Sequence, residues 1–132
     1  MEKGAYILFL LLNKTHVFSK GKFKGKELPC GIYAYAGSAY GPGGMQARVK
    51  RHLQKEKKLH WHIDYITTVY PIETYQLFPN QKECDLVRAL QRLGGKVCLP
   101  SFGSSDCKNC QSHLLWFPSL DKNLIKQLNA SL

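Results

Sequence analysis

The sequence predicts a small α+β protein: a mixed or antiparallel sheet of about three to four strands flanked by helices. Three observations carry this expectation. Short runs rich in β-branched and aromatic residues recur along the chain, amphipathic stretches with apolar residues three and four apart lie between them, and no segment repeats. The resulting order (strand, strand, helix, short helix, strand, helix, strand, helix) shows no βαβ repeat, as in a small α+β layer fold. At 132 residues the chain fits one domain, 1–132. Its 44% hydrophobic and 11% aromatic content suits a packed core and excludes a disordered or collagen-like polypeptide.

Gly4 to Asn13 is almost uninterruptedly apolar and is followed by the turn Asn13-Lys14-Thr15, so it reads as a buried strand. Thr15 to Phe18 reads as a short partner strand before a lysine- and glycine-spaced loop, Ser19 to Glu27. Gly31 to Gly37 alternates Ile32, Ala34 and Ala36 with Tyr33, Tyr35 and Gly37, the period-two signature of a second main strand. The breaker cluster Gly41-Pro42-Gly43-Gly44 precedes a helix in which Met45, Val49 and Leu53 recur at helical spacing, predicted to run to Lys58. His60 to Ile66 predicts a second, short helix with Trp61, Tyr65 and Ile66 turned inward, and Ile72 to Phe78 a third strand ended by Pro79-Asn80. Lys82 to Leu93 places Leu86, Leu90 and Leu93 on one helical face and is stopped by Gly94-Gly95. Leu114 to Phe117 predicts the last strand, and Leu120, Leu124, Ile125 and Leu128 a closing helix.

Lys and Arg number 19 against 9 Asp and Glu, a net charge of +10. The basic residues are bunched, from Lys14 to Lys26 and from Arg48 to Lys58. A potential of that sign attracts polyanions, of which nucleic acid is the commonest in a cell; a merely solvated basic face is the alternative. The longest apolar run, Tyr6 to Leu12, falls far short of the roughly 20 residues that span a bilayer, and no secretory cleavage pattern follows it. A cytoplasmic protein with no membrane partner is expected. Five cysteines, an odd number, argue against a disulfide framework. Cys107, Cys110 and His113 have spacing that suits zinc, with Cys84 or Cys98 as a distant fourth ligand, but one such pair is half a zinc site. Reduced, partly buried thiols are the leading expectation there.

The residues that carry chemistry lie elsewhere. Tyr35-Ala36-Gly37-Ser38-Ala39 ends a strand in small residues, so its backbone can approach a ligand closely. Arg48 and His52 stand four apart on one helix face directly afterwards, and Glu83 opens a later amphipathic helix. Phosphodiester hydrolysis uses such a set. Charge accumulates on the non-bridging and departing oxygens, where a guanidinium and a divalent cation stabilise it. One carboxylate holds Mg²⁺ when waters and the substrate phosphate complete the octahedron. A hydroxyl or imidazole alongside takes a proton from the attacking water. Two bland readings compete: tyrosines as ordinary strand aromatics, and Glu83 or Asp85 as acidic residues favoured by a helix N-terminus. His60, His62 and Asp64 are ligand types, but only His60 and Asp64 share a helical face, so a structural or nucleic-acid-facing role is expected. Trp61 and Trp116 are expected in the core.

At these positions the sequence resembles the GIY-YIG nuclease superfamily. Its first triad looks like Gly4-Ala5-Tyr6 and its second like Tyr35-Ala36-Gly37, with Ala5 and Ala36 replacing the family's larger aliphatics. A literal Gly31-Ile32-Tyr33 is a decoy, because it precedes Tyr35 in the same strand. Gly31 to Gly44, Arg48 with Arg51-His52, His60 to Tyr65, and Ser105-Asp106-Cys107 with Cys110 to His113 look like one branch. That branch is the small standalone Uri-type domain of archaea and bacteria, sometimes appended to a base-excision glycosylase. The resemblance implies a GIY-YIG-like layered fold and a DNA endonuclease using one Mg²⁺ or Mn²⁺, acting on repair or branched DNA. It implies Tyr6 as base or water-orienting hydroxyl, Tyr35 positioning water or phosphate, and Arg48 neutralising the scissile phosphate. His52 would assist proton transfer and Glu83 would ligate the metal. DNA contacts are expected from Lys50, Arg51, Lys55, Lys57 and Lys58 and from Gly37 and Ser38, with a repair enzyme as a candidate partner. The competing expectation is a non-catalytic nucleic-acid-binding module on the same scaffold.

Overall fold

Alternation along the first strand decides the architecture. Tyr6, Leu8, Leu10 and Leu12 point to one side, Ala5, Ile7 and Phe9 to the other, and all are buried. Such a strand must lie inside a sheet with a covering layer on each face. A computed structural model describes residues 2–59, 61–103, 110–118 and 122–130. The chain runs β1 (Gly4–Leu12), β2 (His16–Val17), β3 (Glu27–Leu28), β4 (Gly31–Ala39), α1 (Gly44–Leu53), α2 (Asp64–Thr67), β5 (Ile72–Pro79), α3 (Glu83–Arg92), β6 (Lys96–Val97), β7 (Leu114–Phe117) and α4 (Lys122–Ala130).

The expected α+β class holds, but the main sheet has five strands, in the order β5-β1-β4-β7-β6, and every pairing is antiparallel. The count exceeds the three to four expected because β6 is only two residues long and carries no periodicity to read. It exists through its pairing with β7, Lys96 opposite Trp116 and Val97 opposite Leu115. The short strand expected over Thr15 to Phe18 is β2, and it pairs antiparallel with β3, unforeseen at the far end of the loop expected from Ser19 to Glu27; the two form a sheet of their own. Because this excursion folds outside the main sheet, β1 and β4 pair directly along their whole length, Gly4 opposite Ala39 and Leu12 opposite Gly31.

The two faces take separate helical layers. Met45 and Val49 of α1, with Ile63 and Ile66 around α2, cover the face bearing Tyr6, Leu8, Tyr33 and Tyr35. Leu86, Val87, Ala89 and Leu90 of α3, with Leu124 and Leu128 of α4, cover Ala5, Ile7, Phe9, Ala34 and Ala36. Two helices are shorter than their sequences suggest. Helix α1 stops at Leu53 rather than Lys58, since Gln54 is extended and the Lys57 ammonium donates to the carbonyls of Arg51 (3.2 Å) and His52 (2.8 Å). A cation on the last carbonyls satisfies groups that a further turn would have used. The helix expected over His60 to Ile66 begins only at Asp64, whose carboxylate accepts the Trp61 N–H at 2.9 Å.

Candidate active site

Tyr6 and Tyr35 share a face of adjacent antiparallel strands, offset by two registers: Tyr6 stands opposite Gly37 and Tyr35 opposite Leu8. A Cβ at Gly37 would overlap the Tyr6 ring, so the glycine lets that ring lie across β4. Arg48 and His52 descend from α1 onto the same face. His52 Nε2 and the Tyr6 hydroxyl are 2.7 Å apart, and the Tyr35 and His52 rings meet edge to face with centroids 6.2 Å apart. Glu83 arrives from the first turn of α3, which starts just past the end of β5, where Pro79 pairs with Gly4. Its carboxylate is close enough to act electrostatically on both tyrosines and on Arg48. Tyr6, Tyr35, Arg48 and His52 thus meet on one face, and Glu83, from the helix that covers the other, acts electrostatically on the tyrosines and on Arg48. Tyr33 of the literal Gly31-Ile32-Tyr33 does not join them; its hydroxyl donates to the Pro29 carbonyl at 2.6 Å.

Burial sets the charge states. It raises the Tyr6 phenol far above its ordinary value, Tyr35 and Glu83 add to this, and Arg48 pulls the other way, partly through a hydrogen bond. Burial also raises Tyr35, again with Glu83 adding and Arg48 opposing. His52 is pushed down to about 3 by burial and by the neighbouring Lys57, so it is neutral at physiological pH. A neutral imidazole and a neutral phenol share the hydrogen bond between His52 and Tyr6, and the tautomer of His52 sets which of them donates. The other ring nitrogen, Nδ1, is buried without a partner among the described residues. Glu83 is half-buried and its pKa is raised by desolvation, with Arg48 lowering it. With Ser38, Tyr40, Asn80, Lys82, Cys84, Asp85 and Arg88 it lines an open cavity of about 640 Å³. Asp85 is engaged with Arg88 one turn on.

Trp61 supports both arginines, a role that sequence reasoning missed by assigning it to the core. It is only part-buried, with the Arg48 guanidinium 4.5 Å and the Arg51 guanidinium 4.2 Å from its ring centre. Arg48 also donates to the Ser38 carbonyl at 3.3 Å, which fixes the guanidinium beside the end of β4. The pattern that could have revealed Trp61 is its place after a helix presenting two arginines three apart, since cations stack on indole faces. Trp116, likewise expected in the core, is part-buried and donates its indole N–H to the Cys30 carbonyl at 2.9 Å.

The basic residues divide. Arg51 makes a bidentate pair with the fully buried Asp64, at 3.1 and 3.0 Å, and Lys57 lies 3.9 Å from the same carboxylate. Both are committed to holding α2 against α1, while Lys50, Lys55 and Lys58 are exposed. His62 accepts the Gly103 N–H at 2.8 Å, and Asp64 is occupied by Arg51, so this pair has structural work; His60 lies outside the described residues. Of the residues given zinc spacing, Cys107 also lies outside the described residues, as do Ser105 and Asp106. Cys110 and His113 meet Cys84, the ligand atoms of the three lying within 4.8 Å of one another.

An antiparallel sheet between two helical layers, with a tyrosine, histidine, arginine and carboxylate cluster at one end, defines the class of protein in structural terms. Residues 5–131 match the family described as domain of unknown function DUF123, and the chain belongs to that family. No curated protein and no solved structure matches it. Among the described residues, no helix is long and apolar enough to cross a membrane.

Proposed function

We propose that this protein is a divalent-metal-dependent DNA endonuclease of the GIY-YIG type, hydrolysing phosphodiester bonds in repair or branched DNA. One observation supports the reading above all: Tyr6, Tyr35, Arg48, His52 and Glu83, scattered in sequence, share one electrostatic neighbourhood. A cluster of mere strand aromatics would not need an arginine and a carboxylate brought in from two different helices.

Glu83 fits a hard cation. It lines an open cavity, burial penalises its charge, and it makes no hydrogen bond or ion pair among the described residues. A Mg²⁺ or Mn²⁺ held there would supply positive charge to the phosphate and to the attacking water. Arg48, fixed by Trp61 and Ser38, faces the negative charge that develops on the non-bridging oxygens. Water oxygen bonds to phosphorus as the bond to the departing sugar oxygen breaks. The water proton passes to the Tyr6 oxygen while the Tyr6 proton passes to Nε2 of His52, which spares the site a free tyrosinate. The departing oxygen is protonated from solvent, and Tyr35 orders water and phosphate beside the relay. Exposed Lys50, Lys55 and Lys58, adjoining α1, extend the cationic surface along which a phosphate backbone would lie.

Incubation of labelled plasmid, flap and loop DNA with Mg²⁺ or Mn²⁺ tests the proposal. Wild type should nick at least one of these substrates, chelator should abolish nicking, and Tyr6→Phe should be inactive yet folded. DNA bound without any cleavage, by folded wild type in either metal, would overturn it in favour of the non-catalytic binding module.

A further inference from the structure

A second polar cluster lies beyond the tyrosine site. Cys84 is the second residue of α3, and Cys110 and His113 belong to the segment that enters β7. Their ligand atoms lie within 4.8 Å of one another, although Cys84 and His113 are far apart in sequence. Three backbone bonds and one to a side chain hold this segment. His113 donates its N–H to Phe102 at 2.8 Å and offers its carbonyl to Ala36 at 2.9 Å, Gln111 accepts from Ser101, and the Leu114 N–H is bonded by the Ser112 hydroxyl at 3.1 Å.

His113 is only 2% exposed, yet its Nε2 is buried without a hydrogen-bond partner among the described residues. The ring does hydrogen-bond the Gly103 backbone, and with Nε2 unpartnered that bond falls to Nδ1. Burying a ring nitrogen with nothing to pair it costs free energy. An imidazole anchored through one nitrogen, with the other bare and two thiols beside the ring, is the arrangement that metal-ligating histidines adopt. We propose that Cys84, Cys110 and His113 bind one Zn²⁺, which fastens the first turn of α3 to the entry of β7.

The donors select the ion. Two sulfurs and an imidazole nitrogen are soft and borderline ligands that suit Zn²⁺ and disfavour Mg²⁺ and Ca²⁺. With bonds of about 2.3 Å to sulfur and about 2.0 Å to nitrogen, ligands around a tetrahedral ion sit roughly 3.5–3.8 Å apart. Contracting the observed cluster, whose ligand atoms lie within 4.8 Å of one another, by about 1.0–1.3 Å at most achieves this, and the fourth position falls to water or one further donor. The site shares no ligand with the proposed Mg²⁺ or Mn²⁺ site at Glu83, although Cys84 lines the same cavity, and it stands whether or not the protein cleaves DNA. Because Cys84 follows Glu83 directly, the same ion would also fix the helix turn that presents the carboxylate.

Metal analysis of protein purified without chelator tests this. Wild type should carry close to one Zn²⁺ per chain, Cys84→Ser and Cys110→Ser should lose it, and Cys30→Ser, which alters an exposed thiol, should keep it. Reloading the chelator-stripped wild type with Co²⁺ reads the site without any variant. Thiolate-to-metal charge transfer and the visible bands of tetrahedral Co²⁺ are expected. Folded wild type that takes up neither Zn²⁺ nor Co²⁺, or Zn²⁺ retained in full by Cys84→Ser and Cys110→Ser, would overturn the proposal.

Discussion

On one face of the sheet, Ala5, Ile7 and Phe9 of β1 and Ala34 and Ala36 of β4 meet the aliphatic side chains of α3 and α4. On the other, their immediate sequence neighbours Tyr6 and Tyr35 meet His52 and feel the charge of Arg48. The two faces differ by one residue of register along the same strands. The first buries only groups that cost nothing to desolvate, so its packing is stability alone. The second buries hydroxyls and an imidazole, whose desolvation is offset only where they pair. If the proposed activity holds, stability and chemistry are separable by substitutions on opposite sides of one sheet.

That separation can be broken from either side. The largest effect is expected from Arg48→Ala, which leaves the aliphatic face untouched. Removing the guanidinium should lower DNA cleavage by on the order of 100-fold or more, with the unfolding midpoint within about 1 kcal/mol of wild type, read by single-turnover kinetics and urea denaturation. The mirror substitution is Leu90→Ala in α3, fully buried on the opposite face. It should cost about 2–5 kcal/mol of stability in urea while the cleavage rate per folded molecule stays unchanged.

The next effect is in pH. His52 has a folded pKa of about 3 against an ordinary 6.5, so between those values the unfolded chain holds the extra proton. Its contribution is fully present above pH 6.5 and is lost as pH falls through that window, at up to about 1.4 kcal/mol per unit. His16 and His62 are lowered by burial too and push in the same direction. Urea midpoints measured from pH 7 to pH 4 should fall steadily in wild type and less steeply in His52→Gln. The smallest effect is expected from Lys50→Gln on the exposed side of α1. It should reduce the slope of log DNA affinity against log salt by about one, without changing the cleavage rate of bound substrate.

The long elements were legible because burial repeats along them. The alternation Ile32, Ala34, Ala36 against Tyr33, Tyr35, Gly37 announces a strand with two buried faces, and Leu86 with Leu90 announces the helix that covers one of them. What escaped has no period. Strands β3 and β6 are two residues each, and tertiary pairing alone makes them strands. Of the candidate site, the residue types and the Arg48 to His52 spacing were readable. Their meeting with Glu83 depends on where α3 begins relative to the end of β5, which pairing decides. Arg51 and Lys57 read as free cations because nothing in the sequence links them to Asp64, which folds back from the other side of a turn to bury its charge. Cys84 was read as a distant partner of the later cysteine pair; its meeting with Cys110 and His113 follows from the same docking of α3 beside β7.

The central claim, that the convergent cluster cuts DNA through a cation held by one carboxylate, is tested most directly by Glu83→Gln. Gln keeps the size of the side chain and removes its charge. The measurement is single-turnover cleavage of a labelled branched duplex in Mg²⁺, with binding of the same duplex followed in chelator. Glu83→Gln is expected to bind as wild type does and to cleave on the order of 100-fold more slowly or worse. Cleavage by Glu83→Gln at the wild-type rate would contradict it.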